Sequence, residues 1–127
     1  MDDTRLHDRI LVVDDNEDAA MLLAALLRAH GYEVDWSCDS AQALLQAEQA
    51  APVCVLLDVQ MPGLNGLELA RTLRQRLGTG IVLIAVSGLP PSDTLAAQTF
   101  DAVDYYLQKP IDVDKLTSIL PPTHVAM

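Results

Sequence analysis

Positive charge is scarce in this sequence. Lys and Arg together number 8 against 18 Asp and Glu, which gives a formal net charge of -10. Phosphate backbones and anionic lipid surfaces are bound by clustered Lys and Arg, so this balance argues against both kinds of ligand. We therefore expect no direct nucleic-acid partner and no membrane partner.

Cysteine and long apolar runs are scarce as well. The two cysteines, Cys38 and Cys54, lie in strand-like apolar surroundings without metal-ligand spacing, which favours small buried residues, a reducing compartment and no disulfide. No apolar run approaches the roughly 20 residues of a membrane-spanning helix, and no charged-then-apolar signal segment opens the chain. The sequence thus predicts a soluble cytoplasmic protein.

Apolar residues, in contrast, are abundant. They make up 50% of the 127 residues, enough for one compact domain with a substantial core and too little chain for a second. We expect this domain to cover residues 9–120, with a polar segment at 1–8 and a frayed tail at 121–127.

Five short apolar strands alternate with five helices along the chain. Residues 10–13 are apolar at every position, as is typical of a strand buried on both faces, and residues 17–29 carry the three-and-four spacing of a core-facing helix. Further strands are predicted at 33–38, 53–57, 81–86 and 104–108, and further helices at about 40–49 (capped by Ser40), 67–77, 92–99 and 112–120. This alternation predicts an α/β fold with an open, doubly wound, five-stranded parallel sheet.

Polar residues follow four of these strands. Asp14 and Asp15 come after the first strand, Asp58 after the third, Ser87 after the fourth and Lys109 after the fifth. In a doubly wound sheet, ligands bind beyond the carboxyl ends of the strands, so these residues are expected at one rim. Neighbouring carboxylates repel one another unless a cation compensates, and three of them suit Mg²⁺.

A metal-bound carboxylate at this rim could attack a phosphoryl group and form an aspartyl phosphate. Lys109 would then bind a phosphoryl oxygen as a point charge, and the Ser87 hydroxyl could turn toward another. A hydrogen bond to a charged partner contributes roughly 1.5–3 kcal/mol, which is enough to bias a loop.

Four segments carry a family resemblance. VVDDNED, LLDVQMPGLNGLEL, AVSG and DYYLQKP, in that order, resemble the landmarks of response-regulator receiver domains over residues 9–120. The resemblance implies a (βα)5 flavodoxin-like, CheY-like fold with strand order 2-1-3-4-5. It also implies a signalling module that catalyses its own phosphotransfer and slow dephosphorylation, and not an enzyme with a separate substrate.

The resemblance also assigns roles within the site. Asp58 matches the phosphoacceptor and Asp15 the main acidic Mg²⁺ ligand, while Asp14 matches a second acid that acts through water. The backbone carbonyl of Gln60 matches a further metal ligand. Lys109 matches the site lysine, which is followed in the family by a proline whose peptide bond is usually cis.

A switch is implied by the same resemblance. With a phosphoryl group on Asp58, the Ser87 hydroxyl is expected to turn inward and Tyr106 to change rotamer. The altered surface would comprise the fourth helix, the fifth strand and the fifth helix. Leu89 is apolar where many relatives are polar, which bears on the lifetime of the phosphorylated state.

Partners follow from the resemblance too. The donor would be a phosphohistidine of a histidine kinase or of a histidine phosphotransfer protein. The response would pass to an output domain, to a partner protein or to a second copy bound through the switch surface. Free-standing regulators and hybrid sensor kinases match the motifs equally well.

Two other functions stay open. An aspartyl-phosphate phosphohydrolase also pairs a nucleophilic Asp with Mg²⁺ and Lys, but it needs an acid two residues later, where this chain has Gln60. An interaction module independent of phosphorylation would have no need of Asp15, Asp58, Ser87 and Lys109 at the rim. Flavin binding is disfavoured, because acids after the first strand would repel the phosphate.

Overall fold

The computed structural model describes residues 9–63, 65–90 and 92–120. The expected polar segment at 1–8 and tail at 121–127 lie outside the described residues. Within the described part of the chain, no helix is long and apolar enough to cross a membrane.

Five parallel strands form one sheet in the order β2-β1-β3-β4-β5, with five α-helices as connections. The strands are β1 (Arg9–Val13), β2 (Glu33–Ser37), β3 (Cys54–Asp58), β4 (Val82–Ser87) and β5 (Tyr105–Gln108). The helices are α1 (Glu17–Ala29), α2 (Ser40–Ala50), α3 (Gly66–Leu77), α4 (Thr94–Ala102) and α5 (Val113–Ile119), with a 3-10 turn at Gly78–Gly80. The predicted fold class and strand order are confirmed.

Hydrophobic cores cover both faces of the sheet. Because side chains alternate along a strand, Ile10 and Val12 of β1 pack with Leu27 of α1, whereas Leu11 and Val13 pack into the core on the other face. β3 is buried at all five positions. Helices therefore occupy both faces, and the polar side chains of the central strands lie at the strand ends.

Acidic and amide side chains cap the N-termini of the helices. Asn16 caps α1 by accepting a hydrogen bond from the Ala19 N–H at 3.1 Å. The cap predicted at Ser40 is wrong, because Ser40 is the first residue of α2 and Asp39 accepts from the Ala41 N–H at 3.2 Å. The extended backbone of Asp39 places its carboxylate where a cap must lie, so the acid one residue earlier takes the position.

The fourth helix lies later in the chain than predicted. It covers Thr94–Ala102 and not 92–99, since Asp93 accepts from the N–H groups of Leu95 and Ala96 at 2.8 and 3.2 Å and fixes the first turn. Its buried residues are Ala96 and Thr99. The fourth helix is thus well capped but lightly buried.

Candidate functional site

The carboxyl ends of β1, β3 and β5 bring four charged residues together. Asp14 and Asp15 follow β1, Asp58 ends β3, and one oxygen from each of these three carboxylates lies within 4.8 Å of the others. The Nζ atom of Lys109, which follows β5, lies 3.3 Å from Asp58 Oδ2 and 3.8 Å from Asp14 Oδ2. The fold therefore assembles the cluster that the sequence predicts.

Asp58 is the most enclosed of the three acids, with 6% of its surface exposed. Its Oδ1 accepts a hydrogen bond from the Gln60 N–H at 3.1 Å, and its Oδ2 accepts one from Lys109 Nζ at 3.3 Å. A buried carboxylate is costly unless such partners compensate for lost water. The two bonds hold the carboxylate in one orientation at the end of β3.

Asp14 lies beside Asp58 and is nearly as enclosed. Its Oδ1 accepts from the Asn16 N–H at 2.9 Å, and its own N–H donates to the Ser37 carbonyl at 3.1 Å. Burial raises the pKa of the Asp14 carboxyl; the Asn16 bond opposes this rise, and the negative charge of Asp58 adds to it. Burial and the neighbouring carboxylate thus disfavour the ionised form of Asp14, and a bound cation would stabilise that form.

Asp15 and Gln60 form the open side of the cluster, and both are exposed. Mg²⁺ favours carboxylate and carbonyl oxygens and retains several waters, so a rim with enclosed and exposed acids suits it. The donor set therefore fits Mg²⁺. The role of the Gln60 backbone carbonyl as a metal ligand stays a prediction.

Gly66, the first residue of α3, packs directly on the chain around Asp58. A Cβ at this position would lie 2.5 Å from the Asp58 carbonyl oxygen and 2.6 Å from Val59 Cα. A capping box between Asn65 and Glu68 fixes the start of the helix there. The Asn-x-x-Glu spacing is the sequence signal for this start, but nothing in the sequence indicates the close approach.

Ser87 ends β4 and is fully buried. Its hydroxyl oxygen accepts a hydrogen bond from the Leu89 N–H at 2.9 Å, and its carbonyl accepts one from the Lys109 N–H at 2.8 Å. The Lys109–Pro110 peptide bond is cis, as the resemblance implies. The hydroxyl predicted to sense phosphate thus has a partner within its own loop.

Tyr106 lies on β5 and is half-buried. Its hydroxyl oxygen is enclosed and has no hydrogen-bond partner among the described residues. The ring of Phe100 on α4 lies 6.2 Å away, centroid to centroid, at an interplanar angle of 45°. Sequence patterns give no sign of this contact, because it depends on how α4 packs against β5.

The family model of the response regulator receiver domain matches residues 10–121. This chain belongs to the response regulator receiver domain family. It is therefore a receiver domain of two-component systems, a signalling module of the kind that the motifs predict.

Curated relatives include regulators and a sensor kinase. The DNA-binding response regulator MtrA of Mycolicibacterium paratuberculosis is 33% identical over 113 residues, which cover 89% of this chain and 49% of MtrA. The autoinducer sensor kinase/phosphatase CqsS of Vibrio cholerae is 35% identical over 115 residues, which cover 89% of this chain and 17% of CqsS. The chain spans about half the length of MtrA and a smaller share of CqsS.

Solved structures agree with the receiver fold. Response regulator TrrA of Thermotoga maritima, in complex with Mg²⁺-BeF, is 31% identical with a TM-score of 0.77, covering 87% of this chain and 94% of that one. A CheY-like receiver from Methanospirillum hungatei is 26% identical with a TM-score of 0.81, covering 88% of this chain and 89% of that one.

Proposed function

We propose that residues 9–120 act as a receiver that accepts a phosphoryl group on Asp58, with Mg²⁺, from a phosphohistidine of a histidine kinase or of a phosphotransfer protein. The observation that carries this proposal is the enclosed Asp58 carboxylate, with Lys109 Nζ at 3.3 Å and two more carboxylates beside it. A nucleophile, a cation for the phosphoryl oxygens and an acidic metal site are what phosphoryl transfer to a carboxylate requires.

The metal ligands that we propose are Asp15, Asp58 and the backbone carbonyl of Gln60, with Asp14 acting through a water molecule. Bound Mg²⁺ would supply positive charge against the crowded carboxylates and the phosphoryl oxygens. The acidic cluster supports this assignment, and a related receiver, TrrA, has been solved with Mg²⁺-BeF.

The proposed reaction is a displacement at phosphorus. A carboxylate oxygen of Asp58 attacks, the new O–P bond forms as the P–N bond to the donor imidazole breaks, and the imidazole nitrogen keeps the electron pair. Lys109 Nζ, which already contacts Asp58 Oδ2, is placed to bind an oxygen of the transferred group. Later attack of water on the same phosphorus breaks the bond to the Asp58 oxygen, releases inorganic phosphate and restores the carboxylate.

A groove beside the site supports docking of the phosphohistidine donor. It measures about 570 Å³ and lies between α1 and the segment after β5, with Leu22, Leu26 and Ile111 among its apolar residues and Asp14 and Lys109 at the site itself. Leu22 is 63% exposed. An apolar helix seated in this groove would bring its histidine to the reacting carboxylate.

The response that we propose begins at Ser87 and ends on the surface of α4, β5 and α5. A phosphoryl oxygen on Asp58 would compete with the Leu89 N–H for the Ser87 hydroxyl and so pull on the loop that leads into α4. A second groove of about 630 Å³, with Phe100 and Lys115 among its residues, opens on this surface. We propose that an output domain, a partner protein or a second copy binds there.

The test is phosphorylation by a small donor. Incubation with acetyl phosphate and Mg²⁺ should add one phosphoryl group to the intact mass, and removal of Mg²⁺ with a chelator should abolish the addition. Asp58→Asn should prevent it. Asp35→Asn is the matched control, because Asp35 is an acid on β2 that pairs with Arg9 away from the site, and it should label like wild type.

The other outcomes separate the remaining functions. A full label on Asp58→Asn would refute the assignment of Asp58. A wild-type protein that takes no label would favour an interaction module that works without phosphorylation. Continuous release of phosphate without a detectable adduct would favour a phosphohydrolase.

A further inference from the structure

A groove of about 470 Å³ lies between α3 and α4, apart from the acidic rim. The residues that line it are Arg71, Arg74, Gln75, Gln98, Asp101 and Ala102. Residues three and four apart share one face of a helix, so the first three form the α3 wall and the last three the α4 wall. One wall therefore carries guanidinium groups and the other carries a carboxylate.

The cations of α3 differ in whether they have a partner. Arg74 pairs with Asp104 at 2.6 Å, and Arg76 pairs with Glu48 at 3.0 Å. Arg71, in contrast, has no ion pair and no side-chain hydrogen bond among the described residues. Because Arg71 is also exposed, its guanidinium is the cation of α3 that is open to a further contact.

Asp101 is the corresponding acid on the α4 wall. It is exposed, and within the described part of the chain its carboxylate has neither an ion pair nor a hydrogen bond. Arg71 and Asp101 thus line the same groove without pairing with each other. A surface that satisfies both of them must offer an acid to one wall and a cation to the other.

A second copy of this chain offers that combination. A two-fold axis along the groove would place α3 of each copy over α4 of the other, so that Arg71 of one copy faces Asp101 of the other, twice. An acidic peptide would pair with Arg71 but be repelled by Asp101, and a basic peptide would do the reverse. Charge complementarity therefore favours a second copy as the occupant.

We propose that two copies of this chain associate through the α3–α4 groove, with two reciprocal ion pairs between Arg71 and Asp101. Exposed ion pairs contribute little individually, so the dimer belongs to the weak, transient class of complexes. The contact is distinct from binding of a second copy to the surface of α4, β5 and α5, and it does not require a phosphoryl group on Asp58.

The dependence on salt should be characteristic. Each copy carries a net charge of -10, and this long-range repulsion is screened beyond about 8 Å at physiological ionic strength, whereas charges in contact still attract. At about 1 M salt the contact pairs are screened as well. Dimerisation should therefore be strongest at intermediate salt, and association that keeps strengthening up to 1 M would overturn the inference.

The test is sedimentation equilibrium of the unphosphorylated protein at physiological ionic strength, at concentrations up to about 1 mM, where weak complexes form. Wild type should dimerise with rising concentration. Arg71→Glu and Asp101→Arg should each weaken self-association at least about tenfold, because two attractions become two repulsions. An equimolar mixture of the two variants should dimerise like wild type, since each variant then supplies the charges that the other needs.

Lys115→Glu is the matched control. Lys115 lies in the other groove, on the surface of α4, β5 and α5, and the substitution makes the same change of charge as Arg71→Glu. This variant should dimerise like wild type. If it is monomeric while Arg71→Glu still dimerises, the copies meet on that other surface and the inference is overturned.

The remaining outcomes are equally decisive. A wild-type protein that is monomeric at every concentration, or a mixture of variants that stays monomeric, would overturn the inference. Thermal unfolding of each variant verifies that it is folded. None of these results alters the labelling of Asp58 by acetyl phosphate, so the proposed function stands or falls by its own experiment.

Discussion

The strand that carries Asp58 and the strand that carries Tyr106 differ in how firmly they are held. β3 lies inside the sheet between β1 and β4 and is buried at all five positions, whereas β5 is an edge strand of four residues with Leu107 buried. Segments with little burial open at a lower free energy than the core. The proposed chemistry is thus placed on the best-anchored strand and the proposed response on a weakly anchored one.

The helices show the same contrast. α3 buries five residues and packs its first turn on the backbone of Asp58, whereas α4 buries two residues and α5 buries Leu116. A helix that buries few side chains loses little when it shifts. The proposed response on α4 and α5 would therefore need little energy and would leave the site undisturbed.

The largest effect is expected from a substitution at Gly66, where α3 packs on the backbone of Asp58. Gly66→Ala would place a Cβ 2.5 Å from the Asp58 carbonyl oxygen, and backbone atoms cannot yield as a flexible side chain does. We expect a loss of about 3 kcal/mol in the free energy of unfolding, measured with urea, together with slower labelling by acetyl phosphate. Gly80→Ala is the control, since its Cβ would meet nothing within 4 Å. Equal stability of the two variants would contradict the packing described for α3.

The next largest effect is expected when Mg²⁺ binds the acidic rim. Mg²⁺ at a hundred times its Kd should stabilise the native protein by about 2.7 kcal/mol if it binds the folded state alone. Asp15→Asn should lose most of this gain, whereas Asp18→Asn, an exposed acid in the first turn of α1, should keep it. Thermal unfolding with and without Mg²⁺ measures both. An identical Mg²⁺ effect in the two variants would argue against Asp15 as a ligand.

A smaller effect is expected at the start of β5, where Arg74 of α3 contacts Asp104. Arg74 of α3 donates to the Ile81 carbonyl at 2.8 Å and to Asp104 Oδ2 at 2.6 Å, and the same oxygen accepts from the Leu83 N–H at 2.8 Å. Arg74→Met should cost about 1–2 kcal/mol, because the pair is partly exposed. Arg76→Met, which breaks one ion pair to α2, should cost less. Urea unfolding that ranks the two variants in the opposite order would refute this anchoring role.

Much of the fold could be predicted because it depends on local patterns. The three-and-four spacing of apolar residues gives α1 its observed bounds, and all-apolar runs mark β1 and β3. The site could be predicted because parallel strands end at one rim, so that Asp14, Asp58 and Lys109 meet there.

The rest depends on contacts between distant segments. The start of α4 is set by a cap at Asp93 after two prolines, where periodicity is weak. The contact of Phe100 with Tyr106 and the reach of Arg74 across two strands arise only once the helices are packed. No spacing along the chain encodes such pairs.

The smallest expected effect concerns a reporter beside the acidic rim. Burial raises the pKa of the half-buried Cys38 thiol, and the charges of Glu17, Asp14 and Asp15 raise it further, so less thiolate is present at pH 8. Mg²⁺ bound to these acids should lower that pKa and speed alkylation by neutral iodoacetamide a few-fold. Cys54 is buried and should stay unmodified in the native protein. An alkylation rate that falls on addition of Mg²⁺ would contradict the electrostatic account.

Hydrogen exchange measured by mass spectrometry tests the central claim most directly. The protein is compared with Mg²⁺ alone and with Mg²⁺ and beryllofluoride, and Asp58→Asn serves as the control that should not respond. We predict changed protection across residues 87–120, concentrated in the loop after β4 and in α4, with β2 and α2 unchanged. Unchanged protection across residues 87–120, with Asp58 demonstrably occupied, would contradict the division between an anchored site and a responsive surface.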